Sequence, residues 1–242
     1  MTAVLLVLAL LQTAPADRAE AERLFELGTR LVAEGDTAGA VAAWEGALAT
    51  GWTSAAAEHN LGTVALAQGQ TGRARLHLER AAHLDPLDPA VRQNLGLARA
   101  RAGEPAPSAA RAAWTWAVAV VRPVGLVALA LAVAFGALAV GVAGRPRVAA
   151  GLGVVAAVAV GAAALAVWER TRPVGVALAD GAVVEAPSPT ATGVARLRAG
   201  EAVGVGPAVD GWRPVTVGDA EGWVRADAVE PVAAEPTAAG PG

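Results

Sequence analysis

Cysteine, lysine and tyrosine are all missing from this chain. Without cysteine there are no disulfide staples, no thiol nucleophile and no thiolate-ligated metal, and every redox compartment is compatible. All nineteen basic residues are arginine, and the excess of Ala, Gly, Val and Arg reads as coding bias rather than as a functional signature. Charge is scarce as well, at 17% of 242 residues, where an ordinary soluble domain has about a quarter. Aromatic residues make up only 4%, yet hydrophobic residues reach 55%, and that apolar content excludes an intrinsically disordered chain. A net charge of −3 leaves no electrostatic footprint for bulk nucleic-acid binding.

The few charges are unevenly placed. Residues 17–110 carry nine arginines and twelve acids, residues 111–172 six arginines and one acid, and residues 173–242 four arginines and nine acids. Two acidic modules thus flank a basic, apolar middle, a pattern that points to a membrane protein with arginine-flanked spans. Stretches 124–143 and 148–167 lack charge altogether. Each has the roughly 20 residues needed to cross a bilayer as a helix. Only residues 144–147 separate them, so the expectation is a tight two-helix hairpin with helices over 124–143 and 148–168, preceded by a juxtamembrane segment over 107–123 and followed by a linker over 169–172. At the start, an apolar run over 3–11 leads to Ala14-Pro15-Ala16, which reads as a secretory signal over 1–16. The hairpin places both flanking modules on one side, and the signal makes that side extracytoplasmic. The expected location is therefore the bacterial inner membrane, as a multi-pass protein.

Before the hairpin the chain repeats with a period of 34. Leu27-Gly28, Leu61-Gly62 and Leu95-Gly96 recur at that interval, as do Gly35, Gly69 and Gly103, Ala40 and Ala74, and Ala47 and Ala81. This resembles the tetratricopeptide repeat family, with repeats over 21–54 and 55–88 and a partial one over 89–103, inside a domain spanning 17–106. The resemblance implies stacked pairs of short helices. It also implies a concave protein-binding groove lined by Phe25, Thr29, His59, Thr63, Gln93 and Arg101. The Lys and Asn expected of a carboxylate clamp are missing from that pattern.

After the hairpin, short β-like runs over 174–178, 183–185, 202–205, 212–217 and 223–225 alternate with the turn dipeptides Asp180-Gly181, Asp210-Gly211 and Gly218-Asp219. The segments Gly200-Glu201-Ala202-Val203, Gly211-Trp212-Arg213-Pro214-Val215 and Gly222-Trp223-Val224 resemble the bacterial SH3-like family over 173–231. Trp212 and Trp223 are its candidate ligand surface, and residues 232–242 read as a disordered tail.

Catalysis finds few candidates. The three histidines are His59, His77 and His83. The last two are six apart on one expected helix, and do not share a metal-facing side. No H-E-x-x-H or phosphate loop is present. The expectation is a non-enzyme without catalytic residues, metal, cofactor or small-molecule substrate.

The fold class expected is thus a multidomain membrane protein: an all-α tetratricopeptide solenoid, a two-helix transmembrane hairpin and a small all-β SH3-like barrel. That order of modules resembles the BatE family of the bacterial aerotolerance operon. The resemblance implies a non-catalytic scaffold that works with von Willebrand A-type membrane proteins and, indirectly, with a MoxR-type AAA ATPase. The alternative is a cell-envelope binding protein whose barrel holds cell-wall peptide while its repeats recruit a wall-modifying enzyme.

Overall fold

The computed structural model describes residues 15–108, 110, 111, 113, 128, 131–135, 144, 146–171 and 173–233. Two compact units divide the chain. One joins the residues up to Pro105 with those from Pro173 onward, and the other is Ala106–Arg172.

The first unit opens with five helices: α1 (Pro15–Ala33), α2 (Thr37–Ala49), α3 (Ala55–Ala67), α4 (Thr71–Leu84) and α5 (Pro89–Arg101). Their starts follow from capping chemistry. Asp36, Ser54 and Asp88 each accept a backbone N–H of the first turn, from Gly39, Ala57 and Ala90 respectively. Pro89 then supplies a pre-set φ at the first position of α5. The chain leaves α1, α3 and α5 through Gly35, Gly69 and Gly103, with φ of +86°, +74° and +78°. Only glycine takes that left-handed conformation without steric penalty.

Helices adjacent in sequence pack together, α1 on α2 and α3 on α4, with α5 against α4 and α3. Small residues set the approach. A Cβ on Gly28 would lie 2.6 Å from Trp44 Nε1, and one on Gly62 would lie 2.6 Å from Leu78 Cγ. Glycine inside a helix costs roughly 1 kcal/mol relative to alanine, and here that cost is offset by bringing Trp44 and Leu78 fully into the core. Ala65, Leu66, Ala74, Leu78, Leu95 and Ala98 form one apolar cluster, and Ala40, Trp44 and Leu61 form another.

The same unit contains seven strands: β1 (Val174–Ala177), β2 (Gly181–Val184), β3 (Gly193–Leu197), β4 (Ala202–Val205), β5 (Trp212–Val217), β6 (Ala220–Arg225) and β7 (Val229–Pro231). They form one antiparallel sheet in the order β3-β2-β6-β5-β4-β1-β7. Alternating side chains build its core, with Val203, Val205, Val215, Val224 and Val229 inward alongside Ala177, Val183 and Leu197. Two tight turns fix the register. Asp210 and Gly211 both have positive φ between the bridged Val209 and Trp212, and Gly218 at +59° turns the β5–β6 hairpin.

Helix α4 carries the sheet. A Cβ on Gly72 would meet the Ala177 and Leu178 carbonyl oxygens at 2.5 Å, so the helix backbone rests directly on the end of β1. One turn on, Arg75 has a side chain only 4% exposed and donates through Nη1 to the Gly200 carbonyl at 2.7 Å. It also pairs with Glu104, and with Glu79 at 3.4 Å. Arg80 reaches the other edge of the sheet, donating to Glu230 Oε1 at 2.8 Å and to the Pro231 carbonyl at 2.9 Å.

In the second unit, α6 (Pro146–Thr171) is the long described helix. Its Val154, Val155, Val158 and Val160 lie exposed, whereas Ala156 and Ala163 are buried.

The fold class expected from the sequence requires correction. The tetratricopeptide solenoid and the SH3-like barrel are expected as separate modules, but helices and strands share one compact unit. The sheet has seven strands, and its terminal strands β3 and β7 do not pair with each other, so it keeps two edges. The strands over 193–197 and 229–231 have no counterpart among the expected ones. The transmembrane hairpin is corrected as well: among the described residues no helix is long and apolar enough to cross a membrane. The stretch 124–143 lies almost wholly outside the described residues. The expected second span falls within α6, whose residues 148–167 are mostly alanine and glycine, small side chains that each remove little apolar area from water. The expected multi-pass placement in the bacterial inner membrane rests on those spans and is corrected with them. Residues 1–14 of the expected signal and 234–242 of the expected tail lie outside the described residues.

Two glycine substitutions test the helix–sheet contact with opposite signs. Gly72→Ala drives a methyl into backbone that cannot yield, and it should lower unfolding free energy by about 2 kcal/mol. Gly96 is the α5 counterpart of Gly28 and Gly62, but a Cβ there would meet nothing within 4 Å. Gly96→Ala should therefore raise stability by about 0.5–1 kcal/mol. Urea unfolding of both variants reads the difference, and a stabilised Gly72→Ala protein would refute the contact.

Candidate functional site

The residues expected to line a groove are Phe25 and Thr29 on α1, His59 and Thr63 on α3, and Gln93 and Arg101 on α5. The structure brings only part of this set together. Thr63 donates its hydroxyl to the His59 carbonyl at 2.8 Å, one turn back on α3. Asn94 of α5 then bridges the helices, with Nδ2 donating to His59 Nε2 at 3.1 Å and to Thr63 Oγ1 at 3.0 Å. Since Nε2 accepts, Nδ1 carries the ring proton, and among the described residues it has no protein partner. Gln93, beside Asn94, is exposed and likewise without a protein partner among them. The result is a half-open polar patch across α3 and α5, which offers donors and acceptors already held in place.

The remaining candidates have local tasks. Thr29 repeats the Thr63 arrangement, donating to the Phe25 carbonyl at 3.0 Å. The Phe25 ring meets Trp52 edge-on, with centroids 5.7 Å apart and planes at 67°, and joins the Trp44 cluster. Arg101 turns back to donate to the Leu66 carbonyl. It thereby adds a charged donor to a carbonyl that already accepts the Gly69 N–H at 3.2 Å. Sequence reasoning missed Asn94. Its signal was available, because Asn94 stands 35 residues after His59, one helix position beyond the repeat interval.

Glu58 and His77 form a second polar pair, nearly buried between α3 and α4. His77 Nδ1 donates to Glu58 Oε2 at 2.7 Å, with side chains 15% and 10% exposed. His83 is exposed at the end of α4. The three histidines thus fall at separate places, and among the described residues no group of His, Asp and Glu could hold a metal ion.

On the sheet, Trp212 and Trp223 are both half-buried. Trp212 lies opposite Arg225 across β5 and β6, and the guanidinium sits 5.6 Å from its ring centroid. One face of the indole is therefore already occupied by a cation. Trp223 stands between Val184 of β2 and Pro214 of β5.

Compared with known proteins, the chain matches no family model and no curated protein. The expected assignments to the tetratricopeptide and SH3-like families are corrected accordingly. What stands is the geometry of the helices and the sheet.

The Glu58–His77 pair supports a graded prediction. Glu58→Gln keeps an acceptor for His77, whereas Glu58→Ala strands the imidazole N–H in a site that water barely reaches. The alanine variant should lose about 1–3 kcal/mol of stability and the glutamine variant clearly less. Equal losses in paired denaturation curves would show that the hydrogen bond carries no weight.

Proposed function

We propose that this chain is a non-catalytic scaffold that holds protein partners on the polar face of its helical array. The observation that carries this reading is the His59–Asn94–Thr63 bridge. Three side chains from two helices are fixed by one another, and the ring N–H of His59 and the amide of Gln93 are left for a ligand. Pre-organisation of this kind reduces the entropy lost on binding, because the side chains are ordered before the partner arrives. An extended polypeptide suits such a face, since its backbone offers a donor and an acceptor at every residue. The partners of the proposal are those expected from the sequence: von Willebrand A-type proteins in direct contact, with a MoxR-type AAA ATPase acting through them.

The test is recovery from a native lysate on tagged full-length protein, compared with the Asn94→Ala, Gln93→Ala double variant. Von Willebrand A-type proteins should be enriched by the parent chain and fall at least about fivefold for the variant, the loss of one to two hydrogen bonds. Equal recovery by both, or none by the parent, overturns the proposal. Retention on purified wall sacculi without those partners would favour an envelope-binding role instead.

A further inference from the structure

A second site lies where the helices meet the sheet, away from the His59–Asn94 face. There a cleft of about 860 Å³ is lined by Arg75, Glu104, Asp180, Arg196, Arg198 and Glu201 among others. That volume falls within the range of about 300–1,000 Å³ typical of ligand sites.

By formal charge the six residues cancel, but most of them are already engaged. Arg75 is committed to the Gly200 carbonyl, Glu79 and Glu104. Asp180 accepts the Ala199 N–H at 2.7 Å, and Glu201 accepts the Arg198 N–H at 3.0 Å, so both acids brace the turn between β3 and β4. Of the cleft's cations, the guanidinium groups of Arg196 and Arg198 have no partner among the described residues. They flank the buried Leu197, two residues apart, and both are exposed. Both line the cleft, Arg196 from within β3 and Arg198 from the residue that follows the strand. Strand β3 is an edge strand, pairing only with β2.

We infer that this cleft binds an acidic, extended peptide segment through carboxylates at alternate residues. Two guanidinium forks two residues apart on one wall of the cleft suit carboxylates at alternate residues of an extended segment, and arginine can hold each one bidentately. The braced acids narrow the choice of ligand. Each retains oxygen lone pairs that can accept a peptide N–H. A nucleic-acid backbone has no such donors between its phosphates. This inference is independent of the proposed scaffold face on α3 and α5.

Fluorescence anisotropy on the full-length protein at low salt tests it. The probe is an end-capped, labelled peptide of alternating Glu and Ser, and the control has Gln in place of Glu. The Glu peptide should bind saturably, the Gln peptide at least about tenfold more weakly, and added salt should weaken the former. The Arg196→Gln, Arg198→Gln variant should lose about tenfold in affinity with its melting temperature unchanged, because both side chains are exposed and unpaired. Replacing both arginines by lysine keeps the charge and should restore only part of the binding. The inference fails if the Glu peptide does not bind, if the Gln peptide binds equally well, if the double glutamine variant binds like the parent, or if a short single-stranded oligonucleotide displaces the peptide with equal affinity. The comparison of the two peptides needs no variant, so it decides the matter even where a substitution unfolds the chain.

Discussion

The guanidinium of Arg75 is the constraint on which the first unit depends. It is buried on α4, and it holds a carbonyl 125 residues away at Gly200 together with carboxylates from α4 and from the end of α5. A buried ion pair of this kind adds little net stability, because desolvation of the charges offsets most of their attraction. Its effect is on geometry. Glu79 and Glu104 belong to the helical part and keep the charge paired, so the docking rests on the buried Gly200 carbonyl, which another placement of the sheet would leave without this donor. Arg75 thus selects one arrangement from those that apolar packing alone would allow. Gly72 works alongside it by letting the α4 backbone touch the end of β1. Gly200 completes the fit: a Cβ there would lie 2.9 Å from Thr71 Cγ2 and 3.0 Å from Ala102 Cβ.

This constraint also explains which parts of the fold could be read in the sequence. Helix turns were legible because their cause is local: glycine at 35, 69 and 103 is needed for a left-handed backbone, and Asp36, Ser54 and Asp88 cap whatever follows them. The Asp210-Gly211 and Gly218-Asp219 turns were legible for the same reason. Strand β3 was not, since Gly193–Leu197 has no alternation strong enough to mark it, and its place is set by pairing with β2 through an irregular register at Val183 and Val184. The joining of helices and sheet was least legible of all. Arg75 and Arg80 look in sequence like ordinary exposed positions of a charged helix, and their partners on the sheet side lie at residue 200 and beyond. Charge-free length misled in the opposite direction. It read 148–167 as a span, although most of its residues are alanine and glycine.

The candidate site divides along the same line. The resemblance to the repeat family implied one groove for Thr29, His59 and Thr63, and two of the three do meet in a hydrogen-bonded cluster. It could not show that Phe25 is taken up by Trp52, or that Arg101 folds back onto the Leu66 carbonyl. Long arginines reach several residues from their own Cα, so a position on a helix wheel says where the stem starts and not where the charge ends. With nineteen arginines and no lysine in the chain, that uncertainty applies to every cationic position.

Helix α5 shows how these arginines replace what a further helix would otherwise supply. Its apolar stripe, Val91, Leu95 and Ala98, faces inward and is buried. Away from that stripe Gly96 is open and Leu97 is half exposed. Arg99 closes the flank by a bidentate pair with Glu79 at 2.9 and 3.1 Å, and Glu79 in turn touches Arg75. Asn94 on the same helix faces the polar patch, while Glu104 just past its end borders the cleft. One helix and its exit therefore carry a residue of each proposed binding site, and the helix is fixed to α4 by charge as well as by packing. Because α5 is clamped on the side away from Asn94, a ligand on the polar patch meets a surface whose position the Arg75–Glu79–Arg99 chain has already set.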